Sequence, residues 1–413
     1  MSKVAILGSG NAACAYAAYL GKRGHDVRLY DSKRFEANLT EIKKRGGMDI
    51  TGIEQNFGPI GTVTTDLKEA VDGVKVIMIV VPGFGHKPLA EQLAPVLQDG
   101  QVVTLNPGAV FGALEFLETI RRCGCDKDVI VGEIASNIFA CRRTGPTSVN
   151  ISGKKEVIET AAIPASRVQE MISVLDEFFP HTYVPVPNVI YTSLGYNNLI
   201  IHPAGAILNM GRVEYQKGQF DFYWEGLTPG VCRNIEAVDA ERIAVGEALH
   251  CHLETFMEIT HHYYGHEERE TVYDFFSQSE VHGGSGPSAP NNLKHRYITE
   301  DIPYALVPLS AVGKVLGVET PVIDSLITLA SVANQENYRE FSQYPAVEHD
   351  LAIVVDNAVT CEDLERRITS AGGRLLEGVR LFDVYRDPIR IGAGKKSMAF
   401  ALTYRSDDHT LTS

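Results

Sequence analysis

Two groups of polar residues have types and spacings that suit acid–base chemistry on a charged substrate. Asn198 and His202 lie four residues apart in a stretch with helical apolar spacing, so they share one helix face. A histidine exchanges protons near neutral pH without large tuning. Later in the chain, Arg296 could hold a substrate carboxylate through paired hydrogen bonds, and Asp301 could orient a histidine ring. A core histidine, and a helix start with acids near its N-terminus, would give the same patterns, so these alternatives stay open.

A nucleotide-binding fingerprint lies at the start of the chain. The apolar run Lys3–Leu7 predicts a buried strand, and a helical run follows the turn Gly8-Ser9-Gly10-Asn11-Ala12-Ala13. Gly8 permits the tight turn, Gly10 lets the backbone approach a pyrophosphate, and Ala13 keeps the helix close to the strand. The free N–H groups at the helix N-terminus can then bind phosphate.

The choice of cofactor depends on a second strand, His25–Tyr30, which ends at Asp31. A carboxylate about 20 residues past the glycines can accept a hydrogen bond from a ribose 2′-hydroxyl. Asp31 repels a 2′-phosphate and so favours NAD. The next residues, Ser32-Lys33-Arg34, include two cations that could accept this phosphate, so NADP stays open as the alternative.

Strands and helices alternate through the first 188 residues. This alternation predicts an α/β fold, a Rossmann dinucleotide-binding domain (1–188) with a parallel sheet that binds ligands at the carboxyl ends of its strands. The strands are predicted at Val76–Val81, Gln101–Leu105 and Asp128–Gly132, and helices at Phe35–Arg45 and Leu89–Leu97.

Beyond residue 188 the apolar spacing becomes helical, which predicts an all-α domain at 189–340. Leu194, Asn198, Ile201, Gly205 and Leu208 are expected on one helix face, and Ile235–Tyr264 is predicted to form one long helix. We expect the catalytic cleft to lie between this domain and the sheet domain.

The composition excludes several classes of protein. A net charge of −14 argues against a general nucleic-acid or anionic-membrane binder. The longest apolar run, Val76–Val81, is too short to cross a bilayer, and a strand that begins at residue 3 leaves no room for a signal peptide. Seven scattered cysteines indicate reduced thiols, so we expect a cytoplasmic protein.

A group of histidines could bind zinc. His262 and His266 have the i,i+4 spacing that zinc can use, and His250, His252 and His261 lie nearby. No third ligand has a convincing spacing, so we expect a helix face or substrate wall and no metal.

The first 340 residues resemble the opine dehydrogenase family, of the octopine and nopaline dehydrogenase kind. The resemblance lies in Gly8–Ala13, Asn198–Pro203, Gly226–Pro229, Asp239–Arg242, Arg296–Pro303 and Gly317–Pro321. It implies a Rossmann domain with a helical domain, and the NAD(P)H-dependent reductive condensation of an α-keto acid with the amino group of an amino acid. It also implies that His202 is the acid/base, that Asp301 is its partner, and that Asn198 lies near the nicotinamide and substrate. Arg296 matches an arginine of the family motif; binding of a substrate carboxylate there is our chemical inference.

The last residues, 344–413, resemble a different family. Leu351–Val355, Val379–Tyr385 and Ser397–Tyr404 are predicted strands and Cys361–Ala371 a helix, which gives a small ferredoxin-like α+β domain. The segments Tyr344–Ala352, Ala371–Leu376, Val379–Arg386 and Gly394–Ser397 are similar to the ferredoxin-fold anticodon-binding domain of the phenylalanyl-tRNA synthetase beta chain. That family continues with a further helix and edge strand, so we expect a domain that is incomplete at its C-terminus. Eleven acids against nine Lys and Arg disfavour RNA binding, and packing, homodimer formation or regulation is expected instead.

Two other functions remain as alternatives. One is a simple 2-keto or 3-hydroxy acid reductase on the same scaffold. The other is a nucleotide-sensing protein whose C-terminal domain binds tRNA. The sequence does not identify the keto acid or the amino acid; pyruvate is a reasonable first trial and 2-oxoglutarate stays open.

Overall fold

The structure, a computed structural model, divides into two compact units. They comprise residues 1–339 and 340–413. The structure describes residues 2–264, 269–279, 282–284, 286–335, 346–388, 390–406 and 411. His266 of the histidine group lies outside the described residues, as do Tyr344 and Pro345, where the third domain was predicted to begin.

The first part of the larger unit is an α/β fold. Its strands are β1 (Lys3–Leu7), β2 (Asp26–Tyr30), β3 (Gly47–Gly52), β4 (Asn56–Pro59), β5 (Thr62–Thr64), β6 (Val76–Ile79), β7 (Val102–Leu105), β8 (Ile130–Ile134), β9 (Phe139–Gly145), β10 (Ser148–Lys154), β11 (Ile158–Ile163) and β12 (Tyr183–Pro185). Its helices are α1 (Asn11–Lys22), α2 (Glu36–Arg45), α3 (Leu67–Val71), α4 (His86–Leu93), α5 (Gly112–Arg122) and α6 (Val168–Leu175).

Among the described residues, eight strands form the main sheet, in the order β12-β11-β8-β7-β6-β1-β2-β5. The strands from β8 to β5 are all parallel, and β11 adds to β8 in the antiparallel direction. Strands β6, β7 and β8 are buried at every position, because helices cover both faces of the sheet. The predicted Rossmann sheet is therefore confirmed. The predicted helix Leu89–Leu97 instead begins at His86 and ends at Leu93, before Pro95, which cannot donate to the helical ladder.

A second, smaller sheet packs against α1 and was not predicted. Its strand order is β4-β3-β10-β9. It explains why α1 is buried on nearly all sides, from Ala13 to Gly21. Helix α1 and strand β4 approach closely, since a Cβ placed on Gly21 would lie 1.8 Å from the carbonyl oxygen of Pro59.

The rest of the larger unit is helical. Its helices are α7 (Val189–Leu194), α8 (Asn198–Leu208), α9 (Met210–Gln216), α10 (Pro229–Ala248), α11 (Phe256–Tyr264), α12 (Val272–Phe276), α13 (Arg296–Thr299), α14 (Val307–Leu316) and α15 (Pro321–Asn334). Two π-helical turns lie at Phe222–Gly226 and Ile302–Leu306. Within the described residues, no helix has both the length and the apolar character that crossing a membrane requires.

Two helix predictions in this region are wrong. The long helix predicted at Ile235–Tyr264 is two helices, α10 and α11, because His250 adopts a left-handed conformation (φ +57°) and Cys251 N–H donates back to Gly246. The apolar row from Leu194 to Leu208 is also divided, since α7 ends at Leu194 and α8 begins at Asn198.

The smaller unit has the predicted β-α-β-β order. It contains β13 (Val347–Asp356), α16 (Cys361–Ala371), β14 (Leu376–Tyr385) and β15 (Lys395–Tyr404). The sheet is antiparallel with β15 in the centre. Helix α16 packs Leu364 and Ile368 against the apolar side chains of β15, so the ferredoxin-like fold class is confirmed.

The contact between α1 and β4 gives a prediction about stability. The substitution Gly21→Ala should lower the free energy of unfolding by about 1–3 kcal/mol, because the new methyl group has to push β4 away from α1. Gly211→Ala in α9 is the matched control, because a Cβ there meets no atom within 4 Å and alanine favours the helix. Thermal unfolding of both variants checks this. A Gly21→Ala protein as stable as Gly211→Ala would contradict the close packing.

Candidate active site

The structure brings together a histidine and an aspartate that are far apart in the sequence. His202 lies in the second turn of α8, and Asp301 follows the short helix α13. Nδ1 of His202 lies 2.8 Å from Oδ2 of Asp301. Both side chains are buried, with His202 5% exposed and Asp301 fully enclosed. A carboxylate only accepts, so the ring nitrogen Nδ1 is the donor and Nε2 is the nitrogen left for a reacting group.

The other oxygen of Asp301 is also bound. Oδ1 accepts a hydrogen bond of 3.0 Å from the hydroxyl of Tyr196, which in turn accepts one of 2.9 Å from the amide of Asn198. Asn198 therefore connects to the histidine–aspartate pair through Tyr196. Sequence reasoning missed Tyr196 because the predicted continuous helix gave no reason to single it out, whereas the real chain turns between α7 and α8.

Aromatic rings enclose the imidazole. The ring of Tyr297 stacks on that of His202 with centroids 3.7 Å apart, and Phe222 contacts it edge-on. Burial lowers the pKa of His202 below its ordinary value, although the hydrogen bond and charge of Asp301 act to raise it. In the described part of the chain, Nε2 accepts no hydrogen bond.

Arg296 lies beside this pair with its side chain half exposed. Its Nε atom is 3.9 Å from Oε2 of Glu300. The other oxygen of Glu300 accepts a 3.2 Å hydrogen bond from Gly83 N–H, on the loop after β6. Burial, and then the charge of Asp301, raise the pKa of Glu300 to about 7. The motif that carries Arg296 and Asp301 is thus joined to the sheet domain through Glu300.

Two further contacts fix the helical elements at the carboxyl ends of the strands. Val110 N–H, on the loop after β7, donates to the carbonyl oxygen of Tyr304 at 3.1 Å. Glu133, which is fully buried in β8, accepts hydrogen bonds from the hydroxyls of Thr192 and Ser193 in α7. Burial raises the pKa of Glu133 to about 7 despite these bonds. Sequence reasoning did not predict this link.

The glycine turn has the shape that a dinucleotide requires. Gly8 has φ +124°, and a Cβ there would lie 2.5 Å from the carbonyl oxygen of Val80, so only glycine fits. At Gly10 a Cβ would meet no protein atom within 4 Å, which leaves open space before the N-terminus of α1. Among the described residues no side chain caps that helix end, and Ala13 is buried one turn further along. These features fit a bound pyrophosphate.

Asp31 lies at the end of β2, beside the glycine turn. It accepts hydrogen bonds from the hydroxyl of Ser9 at 2.5 Å and from Ser32 N–H at 2.8 Å. Lys33 and Arg34 follow with exposed side chains. The turn residues Asn11 and Ala12 begin α1. The predicted cofactor residues therefore lie together, at one end of the sheet.

The described histidines of this group, His250, His252, His261 and His262, are all exposed. His252 pairs with Glu247 at 3.0 Å and His262 with Glu254 at 3.1 Å, both at the surface. His250 occupies the turn after α10. The described residues contain no cluster of three or more His, Cys, Asp or Glu side chains that could hold a metal ion.

A dinucleotide-binding sheet joined to a helical domain with a buried imidazole–carboxylate pair defines the class of NAD(P)-dependent dehydrogenases. Family models match each part. Residues 3–130 match the N-terminus of NAD-dependent glycerol-3-phosphate dehydrogenase, and residues 185–334 match the α-helical domain of NAD/NADP octopine/nopaline dehydrogenase. Residues 342–413 match the ferredoxin-fold anticodon-binding domain.

Similarity to whole proteins identifies the family. The chain is 35% identical over 341 residues to the opine dehydrogenase of Arthrobacter sp. (strain 1C), an alignment that covers 81% of this chain and 92% of the relative. The chain therefore belongs to the opine dehydrogenase family. It is an opine-type, NAD(P)-dependent oxidoreductase that acts on CH–NH bonds.

Solved structures share the same fold at lower identity. Octopine dehydrogenase with NADH and L-arginine aligns with a TM-score of 0.67 and 20% identity over 81% of this chain and 90% of that one. Yersinopine dehydrogenase bound to NADP⁺ aligns with a TM-score of 0.63 and 16% identity over 81% and 91%.

The C-terminal unit has relatives of its own. It is 50% identical over 78 residues to the phenylalanine–tRNA ligase beta subunit of Symbiobacterium thermophilum, which is 19% of this chain. The match spans 9% of that ligase subunit.

The Asp301–His202 contact predicts a measurable change in pKa. Because Asp301 raises the pKa of His202, Asp301→Asn should lower it further below its ordinary value. Tyr196→Phe keeps the carboxylate charge and should leave the pKa of His202 close to that of the parent. Proton NMR titration of the ring signals, assigned by their loss in His202→Gln, measures both. An unchanged or higher pKa in Asp301→Asn would contradict the assignment.

Proposed function

We propose that this chain condenses an α-keto acid with the amino group of an amino acid, with His202 as the acid/base and Asp301 as the group that orients it. The observation that carries the proposal is the 2.8 Å hydrogen bond between the two side chains at a buried position. Asp301 fixes Nδ1 as the donor and stabilises the charged ring when it forms. Nε2 is then the atom that exchanges a proton with the substrate.

The reaction needs a proton at the keto oxygen. The amine adds to the keto carbon, and the oxygen must leave as water before a C=N bond can form and be reduced. Nε2 of His202 takes a proton that the amine nitrogen loses as it adds to the keto carbon, and the charged ring then gives that proton to the oxygen, which leaves as water. NAD(P)H, when bound, supplies the hydride that reduces the C=N carbon. The lowered pKa of His202 makes the ring a ready proton donor once it is charged.

We assign to Arg296 the binding of a negatively charged carboxylate of the substrate. Its half-exposed guanidinium lies beside the catalytic pair, and a planar carboxylate can accept two hydrogen bonds from it. Asn198 donates a hydrogen bond to Tyr196, and we assign it a position at the edge of the site for substrate and nicotinamide. Gly8–Ala13 and Asp31 are assigned to the cofactor.

The substrates are proposed from the relatives. Octopine dehydrogenase has been solved with L-arginine and with pyruvate. We assign this chain the same two classes of substrate, a keto acid and an amino acid, with pyruvate as the first keto acid to test. The carboxylate of Asp31 favours NAD over NADP. We also propose a cytoplasmic location and the domain limits 1–188, 189–340 and 344–413. For the C-terminal unit we propose a role in packing, homodimer formation or regulation rather than in RNA binding.

The test is a matrix of keto acids against amino acids, followed by NADH absorbance with the parent, His202→Ala and His252→Ala. The parent should consume NADH only when both substrates are present. His202→Ala should bind NADH normally while kcat falls by about 10²–10⁴-fold, because the proton donor is lost. His252 is exposed and pairs with Glu247 at the surface, so its alanine variant should keep the parent's turnover.

Three outcomes would contradict the proposal. Reduction of a keto acid without an amine would indicate a simple acid reductase. NADH binding without turnover on any pair would indicate a nucleotide sensor. Unchanged kcat in His202→Ala would remove that residue from the mechanism.

A further inference from the structure

Strand β9 of the second sheet brings an arginine onto the glycine turn. The backbone N–H of Arg143 donates to the side-chain oxygen of Asn11 at 3.0 Å. Its guanidinium donates through Nη1 to the carbonyl oxygen of Ser9 at 3.0 Å and through Nη2 to that of Pro146 at 2.7 Å. No pattern in the sequence pointed to this residue, since the sheet that carries it was not predicted.

Arg143 contacts the glycine turn at the N-terminus of α1, where phosphate groups can bind. Within the part of the chain that the structure describes, the N-terminus of α1 has no side-chain cap and the space beside Gly10 is open. A guanidinium has five N–H donors, of which two are engaged with carbonyl oxygens here. The charge also acts on the first turn of α1: burial raises the pKa of Cys14 to about 11, and Arg143 opposes that rise.

We propose that Arg143 is a cofactor-binding residue that donates to the pyrophosphate of NAD(P) at the N-terminus of α1. Helix N–H groups and a positive dipole end attract the phosphates, and a guanidinium adds a full charge with directional donors. The second sheet then has a functional task, because it carries Arg143 to the turn. The inference rests on the NAD(P) dependence of the family and not on the proposed keto acid and amine chemistry.

A purely structural role would give the same bonds to carbonyl oxygens. Arg28 shows what such a role looks like, since its Nη1 atom donates to the carbonyl oxygens of Glu69 at 2.8 Å and Asp72 at 2.7 Å. Both arginines therefore bind two backbone carbonyls within the same domain. Arg143 differs in that one of its carbonyl partners, Ser9, belongs to the glycine turn. Arg28→Gln is therefore the matched control for Arg143→Gln.

The test measures binding without keto acid or amino acid, so it can fail independently of the proposed reaction. NADH binding is followed by its fluorescence, and ADP and adenosine are measured by displacement of NADH. Arg143→Gln should weaken NADH and ADP binding by about 10- to 100-fold, as expected for a charge-assisted hydrogen bond. Adenosine, which has no phosphate, should bind as in the parent. Arg28→Gln should leave all three affinities unchanged.

Two results would overturn the proposal. One is unchanged NADH affinity in folded Arg143→Gln. The other is an equal loss for ADP and adenosine, which would indicate a distorted turn. If Arg143→Gln does not fold, Arg143→Lys decides: a point charge with different geometry should lower the ratio of ADP to adenosine affinity below the parent's. An unchanged ratio there would also overturn the proposal.

Discussion

The site depends on one buried carboxylate. Asp301 is fully enclosed. Burying an ionised carboxylate that has no hydrogen-bond partner would strongly destabilise the folded state. Both of its oxygens are therefore bound, one by His202 and one by Tyr196. His202 lies in α8 and Tyr196 in the turn before it. Their hydrogen bonds to Asp301 therefore hold the chain after α13 against α8. The same bonds set the ring orientation of His202, which is what acid–base chemistry needs.

The sheet domain meets this pair through its loops. Glu300 reaches Gly83 after β6, Tyr304 accepts from Val110 after β7, and Glu133 in β8 holds α7. These contacts all involve the carboxyl-end side of adjacent parallel strands, where α/β proteins bind their ligands. The residues next to Asp301 are thus held at the end of the sheet that also carries the glycine turn. These contacts connect the helical elements to the nucleotide-binding sheet.

The sequence predicted local structure correctly where a pattern of residues is compatible with one backbone conformation. The strand, glycine turn and helix at residues 3–22 could be predicted because the backbone of such a turn requires glycine. Contacts made across the fold had no such pattern. Tyr196, Glu133 and Arg143 act through partners far away in sequence. The division between α10 and α11 was missed because apolar spacing continues through it, whereas the left-handed residue His250 ends the helix.

The most direct measurement is a crystal structure of the protein with NADH and a keto acid bound. The account predicts that Nε2 of His202 lies within hydrogen-bond reach of the keto oxygen, at about 2.6–3.2 Å, while Nδ1 keeps its contact with Asp301. A ring turned away from the keto oxygen, or another side chain in its place as the proton donor, would contradict the account.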